Sequence, residues 1–245
     1  MKKITAICVV AICVFPLVNA STLEKPEWKE GDYWQYAMGM VGTEGEKMAS
    51  TTILGVENIT IGNTTYHCIV ARQKDNASEN LVYYDEESLA FVKETIYSNE
   101  TNKTEEKIYD PPLSLFQYPI FIGKKWNTTI EWMNTSTTIQ LECNGKKEIS
   151  TRAGKFDCYV IKANYGPNET VNPYFYQVLY TSGMVGNIAK AESYANGTLV
   201  AYTELLSFHY NACPKEQQNY AIILLLIAIV IFISLLVLYK FKRNR

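Results

Sequence analysis

The chain has 245 residues, 47% hydrophobic and 13% aromatic, with 23 basic and 25 acidic side chains and a formal net charge of −2. All 25 acidic residues fall between residues 21 and 218, against 17 Lys plus Arg, so that region alone carries −8. A surface of that sign repels phosphate backbones, which excludes nucleic acid as a natural partner and leaves no polybasic patch outside the last few residues.

Residues 1–20 read as a signal peptide. Lys2 and Lys3 supply the positive start, Ile4 to Val18 is almost wholly apolar and broken by Pro16, and Val18-Asn19-Ala20 ends on the small residue a signal peptidase needs. The mature chain is expected to begin at Ser21.

A first β-repeat is expected over 21–110, with strands at Tyr33 to Met40, Ser50 to Val56, Tyr66 to Gln73, Leu81 to Tyr84, Leu89 to Ser98 and Glu105 to Tyr109. A second is expected over 111–210, with strands at Trp126 to Met133, Thr137 to Glu142, Phe156 to Asn164, Tyr174 to Tyr180, Met184 to Tyr194 and Leu199 to Phe208. These runs are rich in Tyr, Val, Ile and Thr and are cut by Gly, Asn, Asp and Pro, and none holds a helical period. The pattern predicts an all-β antiparallel meander.

Matches between the halves indicate two tandem related units. Gly31-Asp32-Tyr33-Trp34 is answered by Gly123-Lys124-Lys125-Trp126 at an offset of 92, and Tyr66-His67-Cys68-Ile69-Val70 by Phe156-Asp157-Cys158-Tyr159-Val160 at 90. Leu81-Val82-Tyr83-Tyr84 has its counterpart near Tyr174-Phe175-Tyr176. At the junction, Pro111 and Pro112 prevent regular pairing, and the apolar stretch Leu113 to Ile122 is expected to cross a core or groove. Tyr174 to Tyr180 is apolar on both faces, which fits a curved sheet, a half-barrel or a sandwich.

After a stem at 211–219, residues 220–239 are predicted to form a transmembrane helix. Ala221 to Leu238 is apolar apart from Ser234, and Tyr220 and Tyr239 bracket a run of about 30 Å at ~1.5 Å per residue. Lys240, Lys242, Arg243 and Arg245 then form a basic tail, residues 240–245, which places the C-terminus in the cytoplasm and the body outside.

Nine asparagines begin an N-x-Ser/Thr triplet: Asn58, Asn63, Asn76, Asn99, Asn102, Asn127, Asn134, Asn168 and Asn196. Chance would give about two or three, so they are expected glycosylation sites. Cys68, Cys143, Cys158 and Cys213 remain after the signal and form an even set in an exported chain, which predicts two disulfides. If Arg152-Ala153-Gly154 is a hairpin turn, Cys158 faces about residue 147, too far from Cys143 to bond. The expected pairs are Cys68–Cys158 and Cys143–Cys213.

No motif points to catalysis, a cofactor or a metal. His67 and His209 have no ligand constellation around them, and Asp85-Glu86-Glu87 reads as a solvated turn. The tyrosines and Trp28, Trp34, Trp126 and Trp132 read mainly as core, with some available to line a lipid or sugar site.

Tyr118-Pro119-Ile120-Phe121-Ile122-Gly123-Lys124-Lys125-Trp126, Ala153-Gly154-Lys155-Phe156-Asp157 and Tyr180-Thr181-Ser182-Gly183-Met184-Val185-Gly186 resemble motifs of uncharacterised extracytoplasmic β-domains of archaeal and bacterial envelope proteins. The resemblance is clearest over 118–208 and implies a curved antiparallel sheet akin to the half-barrels of lipoprotein carriers. The first half departs from it, because Glu87-Ser88-Leu89-Ala90-Phe91 lacks the glycine of Val185-Gly186. The expectation is a non-enzymatic, single-pass surface glycoprotein whose outer domain binds an apolar or envelope ligand, lipid or another surface protein. The alternative is a structural or adhesive surface-layer element without a small ligand.

Overall fold

The computed structural model describes residues 22–99, 101, 103–132, 135–165 and 175–212. Its strands are β1 (Tyr33–Met40), β2 (Lys47–Ile61), β3 (Thr64–Lys74), β4 (Ser78–Asp85), β5 (Phe91–Ser98), β6 (Lys103–Leu113), β7 (Lys125–Trp132), β8 (Thr135–Thr151), β9 (Gly154–Tyr165), β10 (Phe175–Ser182), β11 (Asn187–Ala195) and β12 (Thr198–His209). Among the described residues no helix is long and apolar enough to cross a membrane. The predicted signal peptide, the stem beyond residue 212, the predicted span 220–239 and the tail 240–245 lie outside the described residues.

All twelve strands join one antiparallel sheet in the order β6-β5-β4-β3-β2-β1-β12-β11-β10-β9-β8-β7. The sandwich is therefore not formed. Two six-strand meanders meet where β1 pairs with β12, from Tyr33 opposite His209 to Met40 opposite Ala201. The sheet curls into a nearly closed barrel whose free edges are β6 and β7. Lys103, Glu105 and Glu106 are exposed on one edge, and Lys125 and Asn127 on the other, which discourages pairing with a second chain. β6 runs through Pro111 and Pro112, correcting the expected end at Tyr109: the ladder passes from Ile108, opposite Lys93, to Leu113, opposite Phe91. An edge strand tolerates the missing donors because its outer side is unpaired.

The two meanders repeat one another in fine detail. β2 is bulged between Ile53 and Gly55 and β8 between Cys143 and Gly145, with Val70 and Val160 opposite the two glycines. The turn before β1 bonds Gly31 N to Ile53 O at 3.0 Å, and the turn before β7 bonds Gly123 N to Cys143 O at 2.7 Å. After β4, Leu89 N donates to Asp85 O at 2.8 Å with Leu89 at φ 57°; after β10, Gly186 N donates to Ser182 O at 2.9 Å with Gly186 at φ 65°. The glycine absent from the first half is thus replaced by a leucine in the same left-handed conformation, which L-residues adopt at a cost of about 1–2 kcal/mol.

Strand alternation sends one set of side chains to the concave face. Trp34, Ile53, Ile69, Ala71, Val82 and Tyr84 form one part of the core, and Trp126, Ile139, Leu141, Ile161, Ala163 and Leu179 the other. Each indole is capped by a carbonyl: Trp34 Nε1 donates to Val185 O at 2.7 Å and Trp126 Nε1 to Leu115 O at 3.0 Å. Beyond its bulge, the β8–β9 hairpin folds over the opposite face of β10–β12. Its residues Ile149, Phe156 and Cys158 cluster with Tyr180, and Ala153 N bonds Leu205 O at 3.2 Å. That covering explains why β10 is apolar on both faces.

Candidate functional site

The concave face holds a cavity of about 380 Å³. Register builds its walls: Thr51 lies opposite Gln73, Gln177 opposite Ala163, Leu179 opposite Ala191, and Ala191 opposite Thr203, so each pair shares the inner face. At the rim where β1 begins and β12 ends, Trp28 donates from Nε1 to Gly186 O at 2.8 Å and meets Tyr84 edge-on at 5.2 Å; Tyr84 in turn packs on Phe91 at 4.8 Å. The remaining wall is the β6–β7 connection, whose Leu115, Phe116 and Tyr118 line the space. That connection is held by the Trp126 indole on Leu115 and by the bridge in which Leu23 N bonds Ile120 O at 2.7 Å and Ile120 N bonds Leu23 O at 2.8 Å. Of the apolar stretch Leu113 to Ile122, expected to cross a core or groove, Ile120 is buried and Leu115, Phe116 and Tyr118 line the cavity, while Phe121 and Ile122 are exposed.

Among the described residues the lining contains no Asp, Glu, Lys, Arg or His. Its polar groups are amides and hydroxyls set in a band. Gln73 Nε2 donates to Tyr84 Oη at 3.0 Å, Tyr165 Oη donates to Gln177 Oε1 at 2.7 Å, and Gln177 Nε2 donates to Ser193 Oγ at 3.1 Å. Tyr36 Oη donates to Ile188 O at 3.1 Å. Burial pushes the Tyr36, Tyr84 and Tyr118 hydroxyls well above the usual phenol range, so all three stay protonated. An aromatic pocket of this size with a few polar groups suits a small, largely apolar ligand.

Beside Gln73 stands a polar corner. Asn80 is opposite Gln73 across β3 and β4, and its Nδ2 donates to Glu94 Oε1 at 3.0 Å. Tyr109 Oη donates to Glu94 Oε2 at 3.3 Å, and burial followed by the Glu94 charge raises that phenol to about 12. The buried Asn80 Oδ1 accepts no hydrogen bond.

The other expected site residues are dispersed. Asn58, Asn63, Asn76, Asn99, Asn127 and Asn196 are all exposed, and Asn102, Asn134 and Asn168 lie outside the described residues. Asn76, Asn99 and Asn196 sit in turns at the rim away from the chain ends, Asn58 and Asn63 on the β2–β3 hairpin, and Asn127 on edge strand β7. Cys68, Cys143 and Cys158 are buried free thiols, so the expected Cys68–Cys158 bond is not made; Cys213 lies outside the described residues. The expected register is correct, since Cys158 stands opposite Lys147 while Cys143 faces Ile161. Cys68 stands on β3, opposite Glu57 and Asp85, while Cys158 stands on β9 of the other meander, opposite Lys147. Burial, then Asp85, raises Cys68 to about 11, and burial, then Asp157, raises Cys158 to about 12, which leaves both unreactive.

His67 Nδ1 lies 2.7 Å from Asn58 Oδ1 and its Nε2 is 3.2 Å from Glu86, while His209 stacks on Tyr33. Asp85 Oδ2 accepts from Ser88 N at 2.9 Å, which closes the turn. Lys25, Tyr66, His67 and Asp85–Glu87 border a polar cleft of about 530 Å³, open to solvent along the surface. Among the described residues no three acidic, His or Cys side chains are gathered as for a metal. Trp28 lines the cavity, whereas Trp34 and Trp126 are core; Trp132 falls where side chains are not described. Sequence reasoning named the aromatics but missed Thr51, Gln73, Gln177 and Thr203, whose shared face shows only once the register is known.

A DUF3108-like family model matches residues 124–205, within the stretch 118–208 that carries the motifs. Three solved structures resemble the fold. One is a protein described as exported, with a YmcC-like fold, from Bacteroides fragilis NCTC 9343, at 12% identity, covering 77% of this chain and 100% of that one with a TM-score of 0.43. A protein described as a lipoprotein, from Parabacteroides distasonis ATCC 8503, has 17% identity, covers 77% and 99%, and gives 0.39. A DUF1329 family protein from Desulfovibrio piger ATCC 29098 has 8% identity, covers 74% and 85%, and gives 0.29. No match is found among curated proteins.

Proposed function

We propose that the chain is a single-pass surface glycoprotein whose β-rich outer domain is a non-catalytic module that binds an apolar, envelope-derived ligand on the concave face of its sheet. The observation that carries this is the cavity of about 380 Å³, walled by aromatic and aliphatic side chains and, among the described residues, without a carboxylate or an amine in its lining. A domain that served only as scaffold would gain by filling that space, since empty apolar volume costs about 24 cal/mol per Å³. Export and anchoring rest on the apolar segments at 4–18 and 220–239 and on the basic tail, which together put the N-terminus outside and the C-terminus in the cytoplasm. Glycosylation is supported by the exposure of each of the six described sequon asparagines. The neighbours described as exported or as a lipoprotein are in keeping with an envelope location.

The test is native mass spectrometry of the purified full chain released from its own membrane. The expected result is a protein carrying one small lipid-like adduct, lost in the Leu179→Trp variant, which fills the cavity. A chain that emerges without any adduct, and takes up none from a total lipid extract, would return the domain to the structural, adhesive role.

A further inference from the structure

The rim where β1 begins and β12 ends also exposes large apolar side chains, on two turns. Lys124 N donates to Phe121 O at 3.0 Å, which closes a turn with Ile122 and Gly123 at its corners and Gly123 at φ 90°. Gly186 N donates to Ser182 O at 2.9 Å, which sets Met184 at the tip of the turn between β10 and β11. Phe121 is 43% exposed, Ile122 56% and Met184 50%. The two turns meet through Leu23, which exchanges both backbone bonds with Ile120 and whose Cδ1 would lie 3.5 Å from a Cβ on Gly183. Turn corners ordinarily take Gly, Asn, Asp or Ser, so closed turns that hold Phe, Ile and Met in water mark a contact surface.

Exposure alone does not identify the partner, because Met40 and Val41 are as exposed on the opposite rim. Position does. Asn211, two residues past β12, is tied to the buried Asp32, so the last described residues are fixed at this rim. Residues 213–219 are polar apart from Cys213 and Pro214 and would gain little by lying on an apolar patch. These seven residues reach at most about 25 Å before the apolar run bracketed by Tyr220. Leu23, in the patch itself, follows the other apolar run at 4–18, so the same rim faces the bilayer whether or not that segment is removed. Neither turn contains a sequon, whereas turns of the opposite rim carry Asn76, Asn99 and Asn196.

We infer that Phe121, Ile122 and Met184 form a docking surface for the lipid bilayer in which the chain is anchored. This rests on the single-pass anchor proposed above. The contact is shallow: Glu24, next to Leu23, is exposed, and Lys125 pairs with Glu142 at 3.1 Å, so the charged groups stay among headgroups and only the turn tips pass them. A tether at the end of β12 alone would let the outer domain pivot. A second contact through these turns fixes its tilt and holds this rim against the membrane.

The experiment places a tryptophan at each tip. Phe121→Trp, Ile122→Trp, Met184→Trp and, as the control on the far rim, Met40→Trp are made in the full chain and reconstituted into phosphatidylcholine vesicles with bromines on the upper acyl chain. Emission of the unsubstituted chain is subtracted from each. All four positions are exposed, and an unchanged thermal midpoint shows that a variant is folded. The added emission at 121, 122 and 184 is expected to be quenched about threefold more than that at 40, and to shift to the blue. Quenching no greater than at 40 would overturn the bilayer contact, give the patch to a protein partner and leave the anchor standing. Flotation of the same samples tests the anchor: a chain that does not rise with the vesicles would overturn the single-pass reading and this inference with it.

Discussion

The two meanders share a framework and use it differently. Both have the same bulge after the first strand, the same Gly-containing turn and the same capped tryptophan. The long hairpin of the second half folds back, and its tip is fastened: Arg152 Nη1 and Nη2 bond the Glu46 carboxylate at 2.9 and 2.6 Å, and its backbone N bonds Glu204 Oε1 at 2.8 Å. The hairpin of the first half leaves Val56 49% exposed and carries Asn58 and Asn63 on its surface. A bulged hairpin is therefore an adaptable part. Beyond the bulge, Ile149 and Phe156 of the second hairpin are buried, whereas Val56 of the first is exposed and Ile59, Ile61 and Tyr66 are half-buried.

The largest test of that comparison concerns the tryptophans. Trp34 is fully buried and caps Val185 in the other meander, while Trp126 caps Leu115 in the segment just before its own strand. Trp34→Ala should cost about 3–5 kcal/mol and Trp126→Ala the lower end of that range, read from denaturant midpoints. Equal losses would mean that the joint between halves is no more demanding than either half. A smaller effect is expected at the paired turns. A Cβ on Gly186 would fall 2.5 Å from the Tyr210 ring at φ 65°, so Gly186→Ala should destabilise by about 2 kcal/mol or more, whereas Leu89→Gly should stay within about 1 kcal/mol. The smallest effect is local. Arg152→Ala should speed amide exchange over residues 149–156 and leave 56–66 unchanged. The Arg152 guanidinium, then the Tyr202 hydroxyl, hold the Glu46 carboxyl below its usual range. The contact is thus fully present above a pH of about 4.3 and lost as pH falls through the lowered value. Protection factors in the hairpin, which are corrected for the intrinsic pH dependence of amide exchange, should match at pH 7 and 5 and fall as pH drops through the lowered Glu46 value.

Much of this architecture is legible in the sequence. Runs rich in Tyr, Val, Ile and Thr, cut at short intervals by Gly, Asn, Asp and Pro, located all twelve strands, because β-branched and aromatic side chains fit a pleated, half-buried surface. Asn196-Gly197, with φ of 52° and 77°, makes the tight turn that such a pair favours. The outer arms of β2 and β8 were not legible. Residues 57–61 and 143–151 are polar or irregular, and their strand character comes from pairing with β3 and β9. Met184 was assigned to a strand, but the turn that ends on Gly186 overrides its β propensity. The cavity was legible only as a surplus of aromatics. Which hydroxyls and amides meet inside depends on bulges that shift every later residue to the other face.

The start of β1 and the end of β12 lie side by side at the middle of the sheet. Asn211 is tied to the buried Asp32 carboxylate through its backbone N at 2.9 Å and its Nδ2 at 2.8 Å. A pull applied beyond residue 212 therefore acts along β12, which is laced on one side to β1 and on the other to β11. The load is borne in shear by two ladders at once, where a tether leaving from β6 or β7 would peel a strand away bond by bond.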